Sequence, residues 1–272
     1  MDAVQRAEGF RAMHDADSPL LMPNPWDAGS AKVLASLGFQ ALATTSSGSA
    51  ATFGRVDGSL RRDEALAHAA TIVEATDLPV SADLENGLAL DAAGVGETVR
   101  AAVSIGLAGC SVEDSTGRTD EPIFELGAAI ERVTAAAEAA HCGPVHLVLT
   151  ARAENYLHGR PDLADTIARL QAFEAAGADV LYAPGLRDLG EIRSVVASVG
   201  RPVNVLALLG VPPVAELAAV GVRRISVGGA FTWAAIGALV EAGRELLEEG
   251  TYGYLARAAL GGAVARSAFT GR

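Results

Sequence analysis

Eight times along this chain a short apolar run gives way to a longer stretch of helical periodicity, and that repetition narrows the possible folds more than any other feature. The apolar runs lie at 20–25, 41–46, 79–84, 109–113, 146–152, 180–183, 202–208 and 224–228, each rich in Val, Leu, Ile, Ala or Thr. Continuous apolar runs of this length suit strands buried on both faces. The helical stretches fall at 28–37, 62–76, 92–105, 124–140, 162–176, 187–198, 213–220 and 230–248. In the fifth of them Leu163, Ile167, Leu170 and Phe173 recur on one face. Gly177 follows, where a helix-terminating glycine belongs. Phrases such as Ala-Ser-Leu-Gly-Phe, Ser-Ile-Gly-Leu-Ala-Gly, Ala-Ala-Gly-Ala-Asp and Ala-Val-Gly-Val-Arg each close a helix and open a strand.

Eight such units in 272 residues predict an α/β fold, a (β/α)8 TIM-type barrel. A doubly wound open sheet is the competing architecture. It usually carries a glycine-rich nucleotide loop after its first strand, and here that place reads Asn24-Pro25-Trp26-Asp27. No composition break divides the chain, so 1–272 is expected to form a single barrel domain, with 230–272 as a C-terminal helical segment. A further helix at 253–268 exceeds what the barrel needs; it reads as a packing or oligomer element, or equally as a cap on its own barrel.

Charge and cysteine usage limit the function classes. The formal net charge is −12, from 21 basic and 33 acidic residues, which argues against nucleic acid as a partner. The segment from Met1 to Asp17 has no apolar signal core and no run is long enough to cross a bilayer, so no membrane role is expected. Cys110 and Cys142 read as free thiols of a reducing compartment, and a cytoplasmic location follows as an expectation. His14, His68, His141, His146 and His158 look scattered, without the spacing of a zinc site. Lys32 is the only lysine and lies on the first helix of the repeat, away from any strand end, which argues against an imine mechanism. No Gly-x-Ser-x-Gly elbow and no Walker loop occurs.

Chemistry in such a barrel sits at the C-terminal ends of the strands. Those ends carry Thr45-Ser46-Ser47-Gly48, Asp83-Leu84-Glu85-Asn86-Gly87, Glu113-Asp114, Arg152 with Glu154 beyond it, Asn204, and Ser226-Val227-Gly228-Gly229. Period-two alternation would place Asp83 and Glu85 on one face. With Glu113 on the neighbouring strand and Asp57 in the loop after the second, several carboxylates would converge. A hard cation between them would make that tolerable, and Mg²⁺ suits an all-oxygen set, with Mn²⁺ as the alternative. Solvated loop acids are the competing reading. Arg152 could pair with neighbouring acids or clamp a substrate carboxylate. The 45–48 turn could cradle an anionic oxygen. The 226–229 run resembles a phosphate-binding helix N-terminus, or else allows close helix packing.

The run Pro23 to Ala31, with Ala43-Thr44-Thr45-Ser46, Asp83-Leu84-Glu85-Asn86-Gly87, Val112-Glu113-Asp114 and Thr150-Ala151-Arg152-Ala153-Glu154, resembles the isocitrate lyase/phosphoenolpyruvate mutase superfamily over nearly the whole chain. That resemblance implies an α/β barrel whose last helix is swapped between neighbours, and hence a homo-oligomer, a dimer or tetramer. It implies Mg²⁺ holding a small anionic oxo-acid or its enolate. By position, Asp83 matches the direct metal ligand, and Glu85, Glu113 and Asp57 match acids that hold metal-bound waters. Thr45, Ser46 and Ser47 match the turn that receives the substrate carboxylate, Arg152 the arginine facing substrate, and Glu154 an acid just beyond it. Catalytic roles are therefore expected for Arg152, Asp57 and Glu113, metal ligation for Asp83, Glu85 and Glu113, and substrate contacts for Thr45, Ser46, Ser47, Arg152, Glu154 and Asn204.

The isocitrate and methylisocitrate lyases of that superfamily carry a Lys-Lys/Arg-Cys-Gly-His loop after the fourth-strand acids. Here the place reads Ser115-Thr116-Gly117-Arg118-Thr119-Asp120, without the cysteine. The segment from Ser115 to Glu121 is expected to be a mobile lid. The leading expectation is a Mg²⁺-dependent lyase that cleaves a C–C bond or decarboxylates a small 2-oxo or 2-hydroxy carboxylic acid. The alternatives are phosphonopyruvate hydrolysis or mutase-like P–C chemistry, a non-catalytic metabolite-binding barrel, and a phosphate-sugar enzyme using Ser226 to Gly229.

Overall fold

The computed structural model describes residues 2–270; residues 1, 271 and 272 of the expected domain lie outside the described residues. The chain runs α1 (Ala3–Met13), β1 (Leu20–Met22), α2 (Ala28–Ser36), β2 (Leu42–Ala43), α3 (Ser46–Thr52), α4 (Arg62–Ala75), β3 (Val80–Asp83), α5 (Ala92–Ser104), β4 (Gly109–Glu113), α6 (Leu126–His141), β5 (Val148–Arg152), α7 (Leu163–Ala175), β6 (Val180–Tyr182), α8 (Leu189–Ser198), β7 (Val203–Leu206), α9 (Val214–Ala219), β8 (Arg224–Ser226), α10 (Ala230–Arg244) and α11 (Leu255–Thr270). The strands form one parallel sheet in the order β1-β8-β7-β6-β5-β4-β3-β2. Its two ends meet where the Ala43 N–H donates to the Pro23 carbonyl at 3.0 Å, giving a nearly closed (β/α)8 barrel.

Local chemistry explains the repeat. Asp27, Asp91, Asp162 and Asp188 each cap a helix by accepting an N–H from its first turn. Gly38, Gly106, Gly177 and Gly221 end helices in the left-handed region, the glycines of the repeated phrases. The main core lies between strands and helices and includes Leu84, Leu147, Leu149, Leu170, Phe173 and Leu181. Burying each of these large side chains contributes about 1.5–3 kcal/mol.

Several strand boundaries differ from the expected ones. β2 stops at Ala43, because Thr45 caps a helix the sequence pattern did not announce, α3. The expected 45–48 turn is thus the first turn of α3. β3 stops at Asp83, β5 starts at Val148 and β7 stops at Leu206. The 230–248 helix is α10 followed by a π-helical turn, Glu245–Glu249. α1 was not foreseen either. It closes the N-terminal end of the barrel with Phe10, which packs against Leu20, Ala108, Val148 and Val180. Gly109 makes room for it, since a Cβ there would lie 2.7 Å from the Phe10 ring.

The C-terminal helices behave differently from the rest. α11 returns to its own barrel beside α2, with the Phe269 ring 3.6 Å from where a Gly29 Cβ would stand. α10 buries only Thr232 and leaves Phe231, Trp233, Ile236, Leu239 and Val240 exposed. Among the described residues no helix is long and apolar enough to cross a membrane. Cys110 is buried and Cys142 exposed, and neither is in a disulfide.

Candidate active site

Strand register brings the charged residues together. Glu113 and Arg152 are direct partners across β4 and β5, and Asp83 pairs with Ser111 one strand over. All three side chains therefore leave the sheet at its C-terminal rim. Arg152 holds the centre. Its Nη1 lies 2.9 Å from Asp83 Oδ1, its Nη2 2.9 Å from Glu113 Oε2 and its Nε 2.9 Å from Glu154 Oε1. The guanidinium also sits over the Tyr182 ring, 5.3 Å from its centroid.

Asp83 is held from several sides. Its Oδ2 accepts the Ser46 N–H at 3.1 Å, and its own N–H donates to Thr44 Oγ1 at 2.9 Å. Alternation along a strand does not place Glu85, because β3 has already ended. A left-handed residue does: Glu85 has φ +49°. Such a conformation is uncommon outside glycine, and Leu88 shares it at φ +50°, so the whole turn is tightly wound. Gly87 follows with φ +86°, and a Cβ there would strike Val95 at 2.7 Å. The Asp-Leu-Glu-Asn-Gly run is thus a tight turn that aims Glu85 back at the cleft.

The acids outnumber their counter-charge. Asp57, Asp83, Glu85, Glu113 and Glu154 line two adjoining parts of the cleft, and Arg152 lines both. Burial pushes the Glu85 carboxyl up to about 7, helped by Asp83 and Asp57 and opposed by Arg152. Burial also raises Glu113 well above its ordinary value, against the pull of Arg152 and with help from Glu154, Asp83 and Glu85. Arg152 is held firmly protonated: burial works against its charge, and Glu113, Glu154 and Asp83 outweigh it. An excess of carboxyl groups over counter-charge, which raises Glu85 and Glu113, with Glu85 outside every ion pair found among the described residues, fits a divalent cation on these hard oxygen donors. Asp83, Glu85 and Glu113 are not drawn to within ligand distance of one another, because Arg152 stands between Asp83 and Glu113.

The other expected residues fall around this centre. Asp57 is exposed on the loop after α3 and lines the cleft. Thr45, Ser46 and Ser47 line its wall, with Thr45 Oγ1 3.2 Å from Ser47 Oγ. Glu154 is buried behind Arg152, its N–H donating to Asp114 Oδ1 at 2.8 Å. Asp114 points away from the cleft to Arg169, 3.1 Å distant. Asn204 lies deeper, donating to Ser226 Oγ at 2.9 Å. The segment from Ser115 to Glu121 is a short hairpin closed by a bridge between Ser115 and Ile123, with Arg118 paired to Asp120 and Glu121. The deep part of the cleft has a volume of about 140 Å³, room for a small organic acid.

Two expectations need correction. The Val227 and Gly228 N–H groups both donate to Asn24 Oδ1, at 3.0 and 2.9 Å, so two of the N–H groups that a phosphate at the 226–229 run would use are already taken. Asn24, passed over in the sequence, stitches β1 to β2 and β8; its Nδ2 donates to the Thr44 carbonyl at 2.8 Å. The histidines are not all scattered. At the opposite end of the barrel His141 Nε2 and His146 Nε2 each lie 2.9 Å from an oxygen of Asp179. This is the only set of three His, Cys, Asp or Glu donors gathered within 4.8 Å among the described residues. Its two rings stack, centroids 4.1 Å apart and planes 16° apart. Near-parallel rings cannot both direct in-plane lone pairs at one ion, so the set is a hydrogen-bonded clamp. Burial works to raise Asp179, but the bonds from His141, the Leu149 N–H and His146 hold it below its ordinary value.

Comparison with known proteins gives a consistent picture. The family described as phosphoenolpyruvate phosphomutase matches residues 10–247. A crystal structure from Burkholderia cenocepacia J2315, provisionally described as a lyase/mutase, superposes with a TM-score of 0.94 at 50% identity, covering 97% of this chain and 96% of that one. 2,3-Dimethylmalate lyase superposes with a TM-score of 0.83 at 28% identity, over 93% and 90% of the two chains. Oxaloacetate decarboxylase of Ectopseudomonas mendocina is 28% identical over 261 residues, 90% of this chain and 88% of that protein.

Proposed function

The chain belongs to the phosphoenolpyruvate mutase/isocitrate lyase superfamily, and from that premise we propose that it is a divalent-metal-dependent lyase acting on a small 2-oxo or 2-hydroxy carboxylic acid, by C–C cleavage or decarboxylation. The observation that carries this reading is the set of five carboxylates, Asp57, Asp83, Glu85, Glu113 and Glu154, gathered around the guanidinium of Arg152 at the rim of the cleft. Lyase or mutase chemistry is also what the names of its relatives describe.

Asp83 would hold the ion, Mg²⁺ or Mn²⁺, directly, with Glu85, Glu113 and Asp57 around its waters. When bound, the ion supplies Lewis-acid charge beside the reacting carbon. Arg152 presents a fixed cation toward the substrate carboxylate and the negative charge that develops on the oxo-acid fragment. Its three acidic partners fix its orientation, so little reorganisation is needed during reaction. Thr45, Ser46 and Ser47 supply hydroxyl and N–H donors along the adjoining wall. Glu113 and Glu154 hold Arg152 in place, and the 115–121 hairpin screens the cleft from water.

We propose further that the chain forms one barrel unit in the cytoplasm and assembles with copies of itself through the apolar face of α10, for which its own barrel offers no cover.

The test is a thermal-shift titration with Mg²⁺, oxalate and both together. Oxalate mimics a planar two-oxygen chelating acid. Stabilisation that needs both supports the proposal; stabilisation by neither, alone or combined, would count against it. A screen of 2-oxo and 2-hydroxy acids with Mg²⁺, following release of pyruvate or glyoxylate, then identifies the substrate.

A further inference from the structure

β8 opens with an arginine that turns into the barrel. Arg224 is only 3% exposed. Its Nε donates to Asn204 Oδ1 at 2.9 Å and its Nη2 to Thr150 Oγ1 at 2.9 Å, and its Nη1 lies 3.4 Å from His14 Nε2. None of these acceptors is an acid. The other buried arginines are compensated in different ways. Arg152 has three carboxylate partners and Arg169 has two, Asp114 and Asp165. Arg132 also lacks an ion pair, but its guanidinium donates to the Asn86, Ala89 and Leu90 carbonyls, away from the cleft. Arg224 takes part in none of the ion pairs found among the described residues. Burial pulls its guanidinium down to about 10, which leaves it charged at neutral pH. An uncompensated buried cation is costly to a fold. A guanidinium also carries five N–H groups, more than these three contacts use.

Arg224 lines the deep part of the cleft together with Asn204, Ser226, Tyr182, Ser81 and Ser111. The cleft is therefore polarised along its depth. Acids crowd its rim, where Asp83, Glu113 and Glu154 offset the charge of Arg152; its floor carries a cation with no counter-ion. An anionic group entering the cleft is repelled at the rim unless a metal receives it, and is attracted at the floor.

We propose that Arg224, with Asn204 and Ser226, forms an anion subsite at the floor of the cleft that receives a second carboxylate of the substrate, distal to the oxo- or hydroxy-acid group held at the rim. The proposal rests on the metal-dependent acid-binding reading above and adds the residues that distinguish a diacid from a monoacid. Arg224 supplies the charge, Asn204 orients it, and Ser226 offers a hydroxyl to the incoming oxygen.

Malate and lactate separate the two readings, because they share the 2-hydroxy acid group and differ in the distal carboxylate. Both enantiomers of each are titrated calorimetrically into the Mg²⁺-loaded protein, with oxalate alongside. The wild type is expected to bind one malate enantiomer at least about tenfold more tightly than the matching lactate. Arg224→Met is expected to bring that ratio close to one, and Arg224→Lys to restore part of it. If Arg224→Met does not yield folded protein, Asn204→Asp carries the test: it places a carboxylate on the guanidinium and is expected to abolish the preference as well. A ratio unchanged from wild type in the folded variant overturns the subsite. So does a wild type that binds both acids with Mg²⁺ and shows no preference. Absence of Mg²⁺-dependent binding of oxalate, malate and lactate alike overturns the parent reading, and the subsite with it.

Discussion

Arg152 and Glu113 are register partners on adjacent strands, and their side chains meet above the sheet with Nη2 and Oε2 2.9 Å apart. The pair sets the electrostatics of the cleft. It fixes a cation against the barrel wall while Asp83 and Glu154 take its remaining edges. Glu85 is left without a cationic partner among the described ion pairs, and its carboxyl is pushed up to about 7.

Asp83 is where the proposed ion would be held directly. Asp83→Ala should weaken Mg²⁺ binding at least ~100-fold and abolish Mg²⁺-dependent turnover. Calorimetry with Mg²⁺ and oxalate measures the first effect. Activity undiminished in the folded variant would reject the metal assignment.

The fork of Arg152 cannot be copied by an ammonium group, which offers a point charge and no planar set of donors. Arg152→Lys should leave the circular dichroism spectrum as in wild type and lower kcat by roughly 10²–10³-fold. A kcat within a factor of two of wild type would show that Arg152 serves the fold alone.

Glu85 holds its proton more tightly in the folded protein than in the unfolded chain, about 7 against 4.5. The stabilisation from that proton is complete below pH 4.5 and is lost as pH rises through about 7. Glu85→Gln keeps the neutral form at every pH. In metal-free protein it should raise the melting temperature by a few degrees at pH 8 and by much less at pH 5, as scanning calorimetry at the two pH values would show.

His14 behaves in the opposite sense. Burial, with Arg224 beside it, lowers its pKa from 6.5 to about 4. Between those values the unfolded chain binds the extra proton, so the stability present above pH 6.5 declines as pH falls through about 4. The loss amounts to at most about 3 kcal/mol. His14→Gln should lose less stability than wild type between pH 7 and pH 4.5, read from urea midpoints at each pH. Equal losses in the two proteins would mean that His14 titrates normally.

α10 displays Trp233 at 51% and Leu239 at 70% exposure with no cover from its own barrel. If copies of the chain bury this face, Ile236→Glu with Leu239→Glu should convert the oligomer to a monomer in light scattering. A wild-type protein that is monomeric at micromolar concentration would end that proposal.

Much of the site was legible as strand-end chemistry. Asp83, Glu113 and Arg152 each close an apolar run, and a parallel barrel brings such ends to one rim. Glu85 lines the cleft, but strand alternation does not put it there: alternation stops at Asp83 and the left-handed turn takes over. Thr45 showed its hydroxyl but not its role as the cap of α3; a seven-residue Ser-, Gly- and Ala-rich helix has no periodicity to betray it. Asn24 was hidden because an asparagine after a strand looks like any loop residue until its three partners are known.

Local sequence signals were enough to specify the barrel. Apolar runs, capping aspartates and terminating glycines act over a few residues, and eight repetitions of one local pattern leave few ways to close the sheet. Tertiary structure alone decided which charges meet. It put Arg152 between Asp83 and Glu113, clasped Asp179 between two histidines at the far end, and left Arg224 in the interior without an acid. Ion pairing depends on distances of a few ångströms between residues dozens of positions apart, and those distances exist only once strand register and barrel closure have been set.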